Sequence, residues 1–375
     1  MRFLMLNPFY APYLGGTEKH VVEVSKRLAA KKHDVTVLTA RLPGTKKEEV
    51  VGGVRVVRSA AYVVKNLPAF LPPPVPITPL RWMDIVREAR KADAVHVHNR
   101  FCYGLIDALT VKGLGKKLGL TLHNARTKGL SPVTDALGQA YDDVLGKNVM
   151  RACDVIAGVS DKTVKETVPE SMWGKCSVIY NGTDTELFNP RVKPGGIERE
   201  LGLKKGFVLT NCRLVPQKGV GHLIEAMKGV DRQLVVFGRG PLKDELEKQA
   251  KKKGVDAAFV SQRITDGQLA RLYSACSVFA LPSLWEPFGM VLTEAMSCGK
   301  PVVGTNAGGI PEVIGNAGAV VPKAEPRALR KAIKELLEDE KKARDYGKKG
   351  RKRVLAKFTW DHTAQGYEKM YGELE

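Results

Sequence analysis

The sequence predicts an α/β protein of two doubly wound, Rossmann-like domains facing across a cleft. Three observations lead there. Short apolar runs alternate with longer helical patterns along the whole chain, the signature of parallel sheets wrapped by helices. These runs lack polar alternation, as strands do when both faces of their sheet are covered. The cycle of strands also begins a second time, after Pro190, Pro194 and the pair Gly195-Gly196 punctuate the chain. With 375 residues, each half is large enough to bury its own core.

In the first cycle, strands are predicted at residues 3–6, 35–39, 54–58, 94–97, 119–122, 155–157 and 178–180. In the second they are predicted at 207–210, 234–237, 258–260, 278–281, 302–303 and 319–321. The punctuation separates a domain at 1–190 from one at 191–357, and residues 358–375 follow a basic helix. No internal repeat is visible. Open doubly wound sheets bind ligands beyond the carboxyl ends of their strands, so two facing domains place a site in the cleft between them.

Composition narrows the class. Hydrophobic residues make up 43% and charged residues 27%, as in an ordinary globular protein. Sixty Lys and Arg against 40 Asp and Glu give a net charge of +20, which favours acidic partners such as anionic lipid headgroups, phosphorylated ligands or nucleic acid. A nucleic-acid binder would cluster its cations with exposed aromatics. Here the cations are spread along the chain and aromatics are 7%, so no nucleic-acid partner is expected. The six cysteines form no Cys-x-x-Cys pair and read as core thiols in a reducing compartment. Residues 1–7 read as a buried strand and not as a signal peptide. The mostly uncharged run at 67–80 carries six prolines and cannot span a membrane. A cytoplasmic protein is expected.

The chemistry concentrates at 283–312, SLWEPFGMVLTEAMSCGKPVVGTNAGGIPE. Pro287 and Gly289 keep Glu286 in a loop, while Val291, Leu292, Ala295 and Met296 recur at helical spacing and put Glu294 in an early turn. The N–H groups of Phe288, Gly289, Met290 and Val291 then form an anion site at the helix mouth. Two carboxylates beside such a mouth suit a ligand with both hydroxyls and phosphates, and a nucleotide sugar is one. Arg213 and Lys218, with Pro216 between them, follow a strand and suit a diphosphate: Arg clamps two oxygens and Lys supplies a compact charge. Gly15 and Gly16 follow the first strand and allow close backbone approach to a phosphate; Gly16 is the stronger candidate. His123 ends a strand and points into the expected cleft. His96 and His98 alternate on another strand and share a face, but no Asp-x-Asp or third ligand accompanies them, so no metal is expected.

Four segments resemble the retaining glycosyltransferases of the GT-B fold, the family-four and glycogen-synthase-like group that includes lipid mannosyl- and glucosyltransferases. They are NPFYAPYLGGTEKHVVEVSKRLAAKKHDVTVLT, VIYNGTDTELFNP, LTNCRLVPQKGVGHLIEAM and the E-x7-E stretch from Glu286, and they occur in the family's order. The resemblance implies an acceptor-side first domain, a donor-binding second domain, and a final helix, 358–375, that crosses back onto the first. It implies that Glu294 binds the ribose hydroxyls, Glu286 holds the transferred sugar, Arg213 and Lys218 grip the donor diphosphate, and His123 contacts the sugar near the reacting carbon. The expected catalytic set is His123, Arg213, Lys218 and Glu286. The reaction moves a hexose from a UDP- or GDP-sugar to a hydroxyl acceptor with retention and without cofactor or metal. The basic surface, with the apolar loop 67–79 and Trp82, points to a lipid acceptor or growing glycan and to peripheral attachment at an anionic membrane. An epimerase or hydrolase of nucleotide sugars is the rival on the same scaffold; a glycoside hydrolase would not need the Arg-Lys clamp.

Overall fold

The computed structural model describes residues 1–13, 15–64, 75–98, 100, 104–126 and 132–374. The chain divides into two units, one of residues 1–181 with 360–375 and one of residues 182–359. Sequence punctuation places the first break at Pro190, but residues 183–188 pack into the second unit. There the Thr183 N–H donates to the Phe358 carbonyl (2.8 Å), its hydroxyl donates to Thr293 Oγ1 (2.6 Å), and Ser297 Oγ donates to the Phe188 carbonyl (2.5 Å).

In the first unit the strands are β1 (Arg2–Leu6), β2 (Asp34–Ala40), β3 (Glu48–Val51), β4 (Val54–Ser59), β5 (Tyr62–Val64), β6 (Val75–Ile77), β7 (Ala94–Val97), β8 (Lys117–Leu122), β9 (Val155–Gly158) and β10 (Cys176–Val178). The main sheet runs β10-β9-β8-β7-β1-β2-β4-β3, and β5 pairs with β6 in a small antiparallel ribbon. All pairs of the main sheet are parallel except β3 with β4. The β3 sequence EEVV is largely exposed, as suits an edge strand, and its acids hide it from apolar-run searches. The last strand lies two residues earlier than its predicted 178–180, although the Ile179 N–H still reaches the Gly158 carbonyl at 3.0 Å. The core is aliphatic and forms around β1, β7 and β8, with Leu4, Leu6, Val95, Val97, Leu118 and Leu120 all buried.

The terminal helix Trp360–Gly372 belongs to this first unit and is bound through a buried polar network. Tyr367 and Tyr371 are fully buried. The Tyr371 hydroxyl meets His96 Nδ1 at 2.8 Å, and His96 Nε2 meets Thr121 Oγ1 at 2.7 Å. The Tyr367 hydroxyl lies 2.5 Å from Thr121 Oγ1 and 2.8 Å from His20 Nε2, whose other nitrogen is 2.7 Å from Asn181 Oδ1. Gly119 makes room for this contact, because a Cβ there would lie 2.3 Å from the Tyr371 hydroxyl. A buried polar network stabilises only when its members are paired, and these side chains pair one another.

The second unit has β11 (Val208–Asn211), β12 (Leu234–Phe237), β13 (Ala257–Val260), β14 (Val278–Leu281), β15 (Val302–Thr305) and β16 (Ala319–Val321) in the order β13-β12-β11-β14-β15-β16, all parallel. The strand order reverses between β11 and β14. That is the topological switch point at which an open sheet leaves a crevice beyond its strand ends. Among the described residues no helix is long and apolar enough to cross a membrane. The proline-rich segment 67–74, which includes Phe70, lies outside the described residues. Trp82 is half exposed in the helix Arg81–Ala89.

Burial holds four imidazoles of the first unit neutral. It pushes His20 down to about 4 and His96 to about 3, while His98 and His123 lie well below the ordinary value. The unfolded chain takes up these protons near pH 6.5, so stability is complete above that value and is lost as pH falls toward 4. Between pH 7 and pH 5 the loss from His20 alone is about 2 kcal/mol. Denaturant titrations at the two pH values will show it, and equal stabilities would mean that the imidazoles are not held neutral.

Candidate functional site

The two loops that leave the switch point of the second unit carry most of the expected chemistry. After β11 the chain passes Cys212 and Arg213, makes a short 3-10 turn at Pro216–Lys218, and enters the helix Val220–Met227 through Gly219. Gly219 has φ +61°, and a Cβ there would lie 2.2 Å from the Pro282 carbonyl oxygen. The glycine lets this loop touch the one after β14, where the Leu284 N–H donates to the Gln217 carbonyl at 2.7 Å. The second loop runs through Glu286 to Gly289, the left-handed N-cap (φ 91°) of the helix Met290–Ser297. A third loop, after β15, crosses over Glu286. There Gly308 has φ +51° and would drive a Cβ to 2.0 Å from the Glu286 carbonyl oxygen, which instead accepts the Gly309 N–H at 2.9 Å.

These contacts bring two of the expected residues into direct bonding. Lys218 Nζ donates to Glu286 Oε2 at 2.6 Å, and Ser283 Oγ reaches the same oxygen at 3.3 Å. Glu286 is buried and Lys218 largely so. Arg213 is exposed, and among the described residues its guanidinium has no hydrogen-bond or ion-pair partner. It shares the neighbourhood nonetheless. The Cys212 thiol, pushed up to about 11 by burial, feels the charges of Lys218, Glu286 and Arg213 together.

Glu294 lies in the second turn of the helix Met290–Ser297 and is buried. The Tyr273 hydroxyl donates to its Oε2 at 2.8 Å and accepts from Asn211 Nδ2 at 2.9 Å. Burial, reinforced by the Glu294 charge, holds the Tyr273 phenol well above its ordinary value, so the hydroxyl stays a donor. At the helix mouth the first in-turn bond is Leu292 N–H to the Gly289 carbonyl (2.9 Å). The amides of Met290 and Val291 precede it and have no acceptor one turn back within the helix. The Phe288 ring faces away from such chemistry. It is buried edge-on against Phe358 at 5.6 Å, which leaves only its backbone for a ligand.

In the first unit Gly16 opens the helix Gly16–Ala30, and a Cβ built on it meets nothing within 4 Å. The adjoining amide is already used, since Glu18 Oε2 accepts the Gly15 N–H at 2.9 Å. His123 follows β8 and is part-buried. Its Nε2 lies 3.3 Å from His98 Nδ1, and the two rings line a small pocket with Thr17, Arg100, Thr121 and Asn124. The alternating pair His96 and His98 does not act together. His96 is bound to Thr121 and Tyr371, whereas His98 joins His20 and His123, each offering a nitrogen within 4.8 Å of the others. Among the described residues this is the one group of three side chains spaced to hold a metal, and both nitrogens of its His20 are already hydrogen-bonded.

Sequence reasoning missed Tyr273, Asn211 and Ser283. Tyr273 reaches Glu294 from 21 residues away and is itself braced by Asn211, while Ser283 lies three residues before Glu286. The one local signal was Asn211, polar at the end of an otherwise apolar strand. The five described cysteines are free thiols. Cys153 is pushed up to about 12 and Cys276 to about 11 by burial, which keeps both unreactive.

Comparison with known proteins agrees with this architecture. Residues 14–187 match the family described as Glycosyltransferase Family 4, and residues 197–353 match Glycosyl transferases group 1. The chain is 30% identical to the alpha-maltose-1-phosphate synthase of Mycolicibacterium smegmatis over 407 aligned positions that cover all of both proteins. It is 29% identical to an uncharacterized glycosyltransferase of Methanocaldococcus jannaschii, covering 100% of this chain and 99% of that one. Among solved structures, sucrose-phosphate synthase of Thermosynechococcus elongatus superposes with a TM-score of 0.81 at 23% identity, covering 100% and 98% of the two chains. Anabaena HepE in complex with UDP and glucose superposes at 0.79 with 22% identity over the whole of both. Two parallel α/β units, matched throughout their length by enzymes of one kind, place this chain in the family-four glycosyltransferases of the GT-B fold.

Proposed function

We propose that the chain is a retaining hexosyltransferase that uses a UDP- or GDP-sugar and no metal. The observation that carries the reading is the grouping of Lys218, Glu286 and Arg213 around Cys212 at the switch point of the second unit, beside the helix that carries Glu294. Related proteins support a nucleotide-sugar donor: HepE has been solved with UDP-glucose, and the mycobacterial relative is named for making a sugar phosphate. Glu294, held by Tyr273, takes the ribose hydroxyls. Arg213, Lys218 and the amides of Gly289, Met290 and Val291 take the diphosphate. Glu286 takes hydroxyls of the transferred sugar.

In the transferase step the bond from the anomeric carbon to the diphosphate oxygen breaks, and negative charge grows on the leaving group. Arg213, Lys218 and the helix mouth are fixed where that charge develops, so they stabilise the transition state more than the ground state. The acceptor oxygen bonds the anomeric carbon on the face the diphosphate leaves, and its proton passes to the departing phosphate oxygen. Retention follows from this front-face route. Lys218 is bound to Glu286. A diphosphate offers it a second anion and releases a carboxylate oxygen toward the sugar. His123 belongs to the catalytic set and acts near the reacting carbon. The acceptor is a membrane lipid or growing glycan, and the work is done in the cytoplasm.

A thermal-shift screen of UDP-, GDP- and ADP-sugars should find one clearly stabilising donor, with the shift largely lost in Glu294→Ala. Nucleotides inert on the unsubstituted enzyme would overturn the donor site. Tyr273→Phe removes one hydrogen bond to a charged carboxylate, so donor affinity measured by calorimetry should fall about tenfold. Turnover should survive exhaustive treatment with EDTA, and a loss restored by added divalent cation would refute the metal-free assignment.

A further inference from the structure

We propose that the groove along the helix Glu340–Lys357, in the second unit, is a docking face for an anionic lipid surface. Nine of the helix's eighteen residues are Lys or Arg and two are acids, so this one helix carries +7 of the chain's net +20. Several of these cations are already committed. Arg351 Nη1 donates to the Phe188 carbonyl at 3.0 Å, Arg353 Nη2 to the Glu312 carbonyl at 2.7 Å, and Lys349 pairs with Asp345 at 2.7 Å. Lys348 and Lys352 are exposed and have no hydrogen-bond or ion-pair partner among the described residues.

The two uncommitted lysines fall in line with Arg344. Arg344, Lys348 and Lys352 recur every four residues and line one groove with Leu355 and Pro190. Arg344 has only a loose, exposed pairing with Glu340 at 3.5 Å. Leu355 is 44% exposed, which places an apolar side chain at the foot of the cationic row. The groove floor depends on close packing: Gly347 lies against Gly299, where a Cβ would meet the Gly299 carbonyl oxygen at 2.1 Å. A row of lysines above an apolar floor matches the boundary between anionic headgroups and acyl chains. Single-stranded nucleic acid would call for stacking aromatics, and none lines the groove. The proposal is independent of the donor assignment, because none of these residues belongs to the sugar-nucleotide site.

Flotation with vesicles tests it. The protein should float with phosphatidylcholine vesicles that contain phosphatidylglycerol, should not float with phosphatidylcholine alone, and should be released by salt. The double variant Lys348→Glu, Lys352→Glu should bind the anionic vesicles at least about tenfold more weakly. Leu355→Ser should weaken binding at low salt by a smaller factor. The melting temperature and the donor-induced thermal shift of each variant should match the unsubstituted protein, which separates failure of this proposal from failure of the donor site. Equal flotation with neutral vesicles, unchanged binding by the double variant, displacement by inorganic phosphate at matched ionic strength, or tighter binding to single-stranded RNA than to vesicles would each overturn the proposal.

Discussion

The crossing of three loops at one point orders the second unit's chemistry. The loops after β11, β14 and β15 touch backbone to backbone at Gly219 and Gly308, where no side chain fits. Lys218 and Glu286, 68 positions apart in the chain, thereby reach hydrogen-bonding distance. Their ion pair is possible because the fold forces the backbones together first. Charge attraction between two solvated side chains contributes little on its own, so packing supplies the geometry and the charges make use of it.

A similar division of labour holds for Glu294. Its helix is set by apolar Leu292, Ala295 and Met296 facing the core, which buries the carboxylate with them. A buried carboxylate without a donor is costly, and Tyr273, itself braced by Asn211, meets that need. The residues that make the acid usable are thus structural in origin. Their identity depends on the sheet order, since β11 and the helix before β14 must be neighbours for both contacts to form.

This explains what could be read in advance. The parallel strands of both sheets are continuous apolar runs and were legible because burial on two faces leaves no polar positions. The edge strand β3, with its glutamates, was not. The charged residues of the site carried their own signal in type and spacing, as did the glycines flanking them. Tyr273 and Ser283 carried none: a tyrosine in an amphipathic helix looks ordinary until the fold brings it to Glu294, and a serine after a strand looks ordinary even three residues from Glu286. The histidines were misleading in a different way. Alternation on β7 correctly gave His96 and His98 one face, yet their partners, Tyr371 and His123, come from the end of the chain and from the next strand.

The return of the terminal helix to the first unit constrains the order in which the protein is assembled. During synthesis the first sheet emerges before the helix Trp360–Gly372, so it lacks the tyrosines that satisfy His20, His96 and Thr121 until that helix has been made. The second unit, residues 182–359, is an uninterrupted stretch and is complete earlier. The half of the molecule that is made first therefore matures last, waiting with polar groups unpaired while the later half already has every segment it needs.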